Sequence, residues 1–293
     1  MKVTTLSTML ADAGLGEWGY AALVEVDGRK LLFDTGARPE VVLENAKELG
    51  IDLSTVEDVV ISHFHSDHTG GLLPLRRALM ARSPKALSRL HVGAGIFETR
   101  FDSTGRAGNS FIAVAEAYRQ TGGIVIEHAG PIEVIPGAWL TGPVPRPHDE
   151  RNWSPGFAVK VNSELVPDNL REDSSLVIPT AQGAIVITGC GHAGIMNIAD
   201  AARALTGDSS LLAVIGGLHL FAKPDAVLQR TAAHLKGLRY LLGGHCTGIE
   251  ATVRLRELLG LDRKTAVVEA VGSSVTLGEG IAAGDIAGWA GGQ

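Results

Sequence analysis

The apolar run Val59-Val60-Ile61 leads into His63-Phe64-His65-Ser66-Asp67-His68, three imidazoles and a carboxylate placed almost side by side. Side chains alternate along a strand, so a strand that ends here delivers His63 and His65 to the same side. Asp67 and His68 follow on the turn, and Thr69-Gly70-Gly71 lets the backbone bend without a Cβ clash. Packing does not account for such a cluster, because buried polar groups are costly unless they find partners. The chain is therefore constrained to a strand, a ligand-rich loop at the sheet edge and a helix leaving it over 72–80.

The same unit returns three times. Residues 184–188 run into Gly189-Cys190-Gly191-His192, 212–215 into Gly216-Gly217-Leu218-His219, and 239–242 into Gly243-Gly244-His245-Cys246. Of the 10 histidines, His63, His65, His68, His192, His219 and His245 lie at strand ends of this kind. That edge is where α/β proteins place their sites. Periodicity adds strands over 3–6, 20–26, 30–33, 56–61, 90–92, 123–127, 139–141, 175–178, 266–270 and 274–277. It adds helices over 39–49, 109–121, 195–205, 225–238 and 252–259. Asp27-Gly28 is a hairpin turn. The Pro-rich stretch 142–155 reads as a lid or binding loop, and about 282–293 as a flexible tail of one domain spanning 1–293.

A zinc ion takes about four ligands from imidazole, carboxylate or thiolate, at about 2.0–2.3 Å. His63 and His65 with one later histidine fill three places on a first ion; Asp67 and His68 with another later histidine do so on a second. Two ions about 3.5–4 Å apart share a water, lower its pKa and leave a place that polarises a carbonyl or phosphoryl oxygen. That is hydrolase chemistry without a serine or cysteine nucleophile. Asp67 is also placed to orient the bridging hydroxide or take its proton, and His219 to steady an oxyanion or leaving group.

Composition narrows the classes. The net charge of −6 argues against a phosphate-backbone binder, so a small-molecule substrate is expected and no nucleic acid. Arg76, Arg77, Arg82, Lys85 and Arg89 read as a solvated face. No apolar run is long enough for a membrane span, and Met1–Leu6 does not read as a signal peptide. With 2 cysteines, Cys190 and Cys246, no disulfide framework exists, and a reducing cytoplasmic home is expected.

Ser62-His63-Phe64-His65-Ser66-Asp67-His68-Thr69-Gly70-Gly71 resembles the signature of the metallo-β-lactamase superfamily, and Leu32-Phe33-Asp34-Thr35-Gly36 resembles its first motif. Thr188-Gly189-Cys190-Gly191-His192-Ala193-Gly194-Ile195, Gly216-Gly217-Leu218-His219-Leu220 and His245-Cys246-Thr247-Gly248 narrow the resemblance. It points to the 7,8-dihydropterin-6-yl-methyl-4-(β-D-ribofuranosyl)aminobenzene 5′-phosphate synthase branch, over about 31–248. The resemblance implies an α/β, four-layer αββα sandwich with metals at one edge, and Asp34 holding the metal loop instead of binding metal. It implies a metal-dependent hydrolase acting on a phosphorylated pterin or ribosyl-type compound, or on another small ester, lactone or phosphoester.

Two features depart from the superfamily pattern. Many members carry an isolated metal-binding histidine in the interval where this chain has His91, His128 and His148, none in a Gly-His context. Many also have Asp where Cys190 stands. Either Cys190 takes that ligand place or His192 does, with His192 favoured; Asp173 is a further carboxylate candidate. The ligand set expected is thus His63, His65, Asp67, His68, His192 or Cys190, and His245, holding two zinc ions, with iron or manganese as alternatives. A di-iron redox enzyme on the same scaffold and a metal-binding sensor without turnover are the competing readings.

Overall fold

Strands without a single exposed residue mark the centre of the molecule. In the computed structural model, which describes residues 1–150, 156–161 and 163–284, Ala184–Thr188 and Leu211–Gly216 are buried at every position. Parallel strands covered on both faces read as such continuous apolar runs. Their side chains divide by alternation. Ile185, Ile187, Ala213 and Ile215 enter one core, while Ala184, Val186 and Val214 enter another.

Two sheets pack face to face. The first runs Gly280–Ala282, Ser274–Thr276, Lys2–Ser7, Ala21–Val26, Arg29–Phe33, Asp58–Ile61, Arg89–Gly93 and Ile124–His128. The second runs Ala266–Val268, Tyr240–Gly243, Leu211–Gly216, Ala184–Thr188, Leu176–Ile178, Ala138–Leu140 and Ile132–Ile135. Val24, Phe33 and Val60 of the first meet Leu140, Ile187 and Ile215 of the second in the central core. Helices Val41–Glu48, Leu72–Met80 and Ser110–Gln120 cover the outer face of the first sheet, and Ile195–Thr206, Asp225–His234 and Ile249–Leu259 that of the second. Helix Leu72–Met80 shows why: Leu72, Leu75, Arg76 and Leu79 form its buried stripe. The result is the expected four-layer αββα sandwich.

Most predicted elements appear within a residue or two of their expected ends. Asp27 (φ 49°) and Gly28 (φ 76°) form the hairpin turn, which pairs Val26 with Arg29. Strand Ile132–Ile135 and a small sheet of Glu164–Pro167, Ala158–Val161, Arg100–Phe101 and Ala107–Gly108 were not anticipated. Strands of two to four residues carry little readable period. Arg76 is also not a solvated residue: it is buried and donates to the carbonyls of Pro84 and Ala86. Arg89 pairs with Asp58 and Glu57, and Arg82 with Asp52.

Within 142–155, Arg146 donates to Leu170 O, His148 N to Asn197 Oδ1, and the Met196 and Asn197 amides to Glu150 Oε2. Residues 151–155 and 285–293, the remainder of the expected lid and most of the expected tail, lie outside the described residues. Among the described residues no helix is long and apolar enough to cross a membrane.

The topology positions the histidines. Strands Arg29–Phe33, Asp58–Ile61 and Arg89–Gly93 run parallel, as do Ala184–Thr188, Leu211–Gly216 and Tyr240–Gly243. Every ligand-rich loop leaves the C-terminal end of one of these strands.

Candidate metal centre

Asp34 organises the loop after Asp58–Ile61. It sits at φ 57°, in the left-handed region that side chains seldom adopt. From there Oδ1 accepts from Ser62 N and Oδ2 from Ser62 Oγ, each at 2.7 Å. His68 Nδ1 lies 2.7 Å from the same Oδ2, which orients the ring so that Nε2 reaches Cys190 Sγ at 3.2 Å. Gly189 makes room for this network: a Cβ there would press on Ser62 Oγ and Asp34 Oδ2. His63 Nδ1 contacts Ser62 Oγ at 2.9 Å, leaving its Nε2 facing inward.

Two sets of donors converge. Asp67, His68, Cys190 and His245 bring one ligand atom each within 4.8 Å of one another, and so do His63, Cys190 and His192. Cys190 belongs to both. His192 stands on the His63 side, and Cys190 stands between the sets. His65 flanks the second set, its ring 4.7 Å from His63 and 5.0 Å from His192. Asp67 Oδ2 is 3.3 Å from His245 Nε2 and 3.7 Å from His68 Nε2. His219 sits beside the cluster with its ring 4.7 Å from His192 and its backbone N–H on Cys246 Sγ. It shares a further donor group with Cys190 and Cys246. His219 (φ 50°) and His245 (φ 45°), like Asp34, hold left-handed backbone conformations.

The other candidates lie elsewhere. His91 stacks on His128 at 5.3 Å and bonds Asp58 at 3.0 Å. His148 bonds Asp200 at 2.7 Å. Asp173 Oδ2 accepts the Ala193 N–H, so it props the loop that carries Cys190 and His192. His192, and not a histidine from that interval, stands beside His63 and His65.

The electrostatics suit cation binding. Burial, reinforced by His68, His65 and His192, pushes His63 well below the usual imidazole range, and burial takes His65 down to about 4. Both rings are neutral at pH 7 and present lone pairs. Burial also acts on His68, but Asp34 and Asp67 outweigh it and raise the ring to about 9. A metal ion arriving there has to displace a proton. Burial works against ionisation of Asp67 too; His68, His245 and His65 prevail and hold its carboxyl well below the usual range. Burial and Cys246 push the Cys190 thiol up, so its thiolate requires a cation.

Bound metal fits these residues. His63 Nε2 and His245 Nδ1 are buried and have no hydrogen-bond partner among the described residues. An orphaned buried nitrogen is costly, and a bound cation removes the cost. Sequence reasoning missed Trp18 and Phe221, whose rings border His245 and His219, and Glu269, which lies under Gly244. Phe221, two residues after His219, was the one with a readable signal.

A family model described as the metallo-β-lactamase superfamily matches residues 19–206. Over 266 residues the chain is 29% identical to the 7,8-dihydropterin-6-methyl-4-(beta-D-ribofuranosyl)-aminobenzene-5'-phosphate synthase of Methanocaldococcus jannaschii, covering 86% of this chain and 89% of that one. The crystal structure of Tm1679, described as a metal-dependent hydrolase of the β-lactamase superfamily, aligns with a TM-score of 0.70 and 28% identity. That alignment covers 88% of this chain and 93% of the other. YhfI of Bacillus subtilis, a metallo-β-lactamase fold protein, aligns at TM-score 0.54 and 13% identity over 89% and 93%, a likeness of fold alone.

Proposed function

The chain belongs to the metallo-β-lactamase superfamily, and on that premise we propose that it is a hydrolase-type enzyme with a two-zinc centre. The observation that carries this reading is the sharing of Cys190 by two donor sets. His63, His65 and His192 would hold one ion, Asp67, His68 and His245 the other, and the Cys190 thiolate would lie between them. A thiolate among imidazoles favours zinc over iron or manganese. Bound there, the metals would supply Lewis acidity, polarising a carbonyl or phosphoryl oxygen and activating water.

The protein's own groups do the rest. Asp67, ionised at neutral pH and partly open to solvent, would help orient a water at the centre. Asp34 keeps His68 in one tautomer and one orientation. His219 Nδ1 is buried without a partner among the described residues, which suits it to a substrate oxygen or leaving group.

The substrate is a small molecule in this reading. The synthase of M. jannaschii brings phosphorylated, ribosyl-linked pterin compounds into consideration, alongside simple esters, lactones and phosphodiesters. Metal analysis of the purified protein, with a substrate panel assayed with and without chelator, tests the proposal. About two zinc equivalents and chelator-sensitive turnover are expected. Iron with a visible absorption band and no hydrolysis would replace it by the redox reading, and metal without turnover by the sensor reading.

A further inference from the structure

Trp18 and Phe221 are 49% and 45% exposed, yet both touch the histidine cluster. The Trp18 ring lies 4.9 Å from His245, the Phe221 ring 5.5 Å from His219, and the two meet edge-on at 5.9 Å. His219 continues to His192 at 4.7 Å, His192 to His63 at 4.7 Å, His63 to His68 at 4.2 Å, and His68 back to His245 at 5.0 Å. The contacts close into a circuit of rings around the candidate centre. Five members are histidines; Trp18 and Phe221 have no metal-binding atom and form its open side.

The backbone that carries each ring is held in place. Leu220 N and Phe221 N donate to Cys246 O, and Gly248 lets the Phe221 backbone pass where a Cβ would crowd it. Beside Trp18, the Glu17 carboxylate accepts from Ser7 Oγ, Ala37 N and Arg38 N, while Tyr20 N donates to Asp67 O. Two large apolar rings left half in water forgo burial energy. Fixed so beside a polar centre, they form the kind of aromatic surface on which conjugated rings stack.

We propose that Trp18 and Phe221 form a shelf that binds a flat conjugated ring of the substrate beside the metal pair. The proposal rests on the two-metal reading above for the location of the reacting group, and it narrows the substrate class to esters or phosphoesters of aromatic or heteroaromatic molecules.

Benzoate and cyclohexanecarboxylate, alike in charge and close in size, separate stacking from mere apolar contact. Calorimetric titration of the metal-loaded full chain should show benzoate binding more tightly. Trp18→Ala and Phe221→Ala should each weaken benzoate about three- to tenfold, leave cyclohexanecarboxylate nearly unchanged and retain the metal. Trp18→Phe should restore most of the benzoate affinity. Equal affinity for the two acids in the unaltered protein, absence of benzoate binding, or retention of full benzoate affinity by both alanine variants would overturn the shelf. Loss of metal from both alanine variants would reassign the rings to holding the centre. Metal content is measured separately, so failure of the two-metal reading is distinguishable from failure of the shelf.

Discussion

His68 is held by Asp34 at 2.7 Å through Nδ1 and thereby presents Nε2 to Cys190 Sγ at 3.2 Å. One buried carboxylate thus orients a ring on one sheet and aims it at a thiol on the other.

Asp34→Asn should weaken metal binding without removing any ligand. The amide loses the charge that favours the His68 imidazole orientation and presents two acceptor sites no longer. Loss of such an outer partner typically costs about 10- to 100-fold in metal affinity. Competition against a zinc chelator measures it, and an unchanged affinity would detach Asp34 from the centre.

Cys190→Ala should lower the metal content from about two equivalents to about one, because both donor sets lose a member. Cys190→Asp should recover the second equivalent, since a carboxylate also bridges. Elemental analysis of the variants decides it; two equivalents in Cys190→Ala would leave the thiol outside the centre.

Glu269 introduces a pH dependence of stability. Its buried carboxyl is pushed up to about 8 despite the hydroxyls of Thr5 and Tyr20. The folded protein therefore keeps a proton that the unfolded chain has released above its ordinary value of 4.5. The contribution is fully present below 4.5 and is lost as pH rises through 8. The full loss is on the order of 5 kcal/mol. In Glu269→Gln that part of the slope should vanish. Urea unfolding at pH 5 and pH 8, with metal loading matched, compares the two; parallel slopes would count against it.

Arg100→Met should destabilise the fold by about 3–5 kcal/mol, because it strands buried carboxylates. Arg100 Nε donates to Asp168 at 3.0 Å, Nη2 lies 2.7 Å from Glu172, and the guanidinium covers the Phe64 ring at 4.0 Å. Arg100→Lys should not restore it, since a single ammonium cannot reproduce the planar fork. Thermal unfolding tests both, and a loss below about 1 kcal/mol would show that the carboxylates take up protons at little cost.

Much of the architecture was legible from periodicity. Helix Leu72–Met80 and strand Ala184–Thr188 appear at their expected bounds. The small sheet around Arg100–Phe101 and Ala158–Val161 escaped because its short strands carry no pattern and are held by contacts to distant residues. Arg76 escaped because charge alone does not reveal that backbone carbonyls surround a guanidinium.

The sequence by itself determined which residues stand at strand ends, because alternation and glycine-bounded loops are local properties. His63, His65, Asp67, His68, His192, His219 and His245 all follow from that rule. Only the tertiary structure decided how they group. Cys190 joins both donor sets, and His192 faces His63 and His65, because the parallel registers and the packing of two sheets bring together loops more than a hundred residues apart. Distances across that gap are set by the packed core between the sheets, which no local pattern encodes.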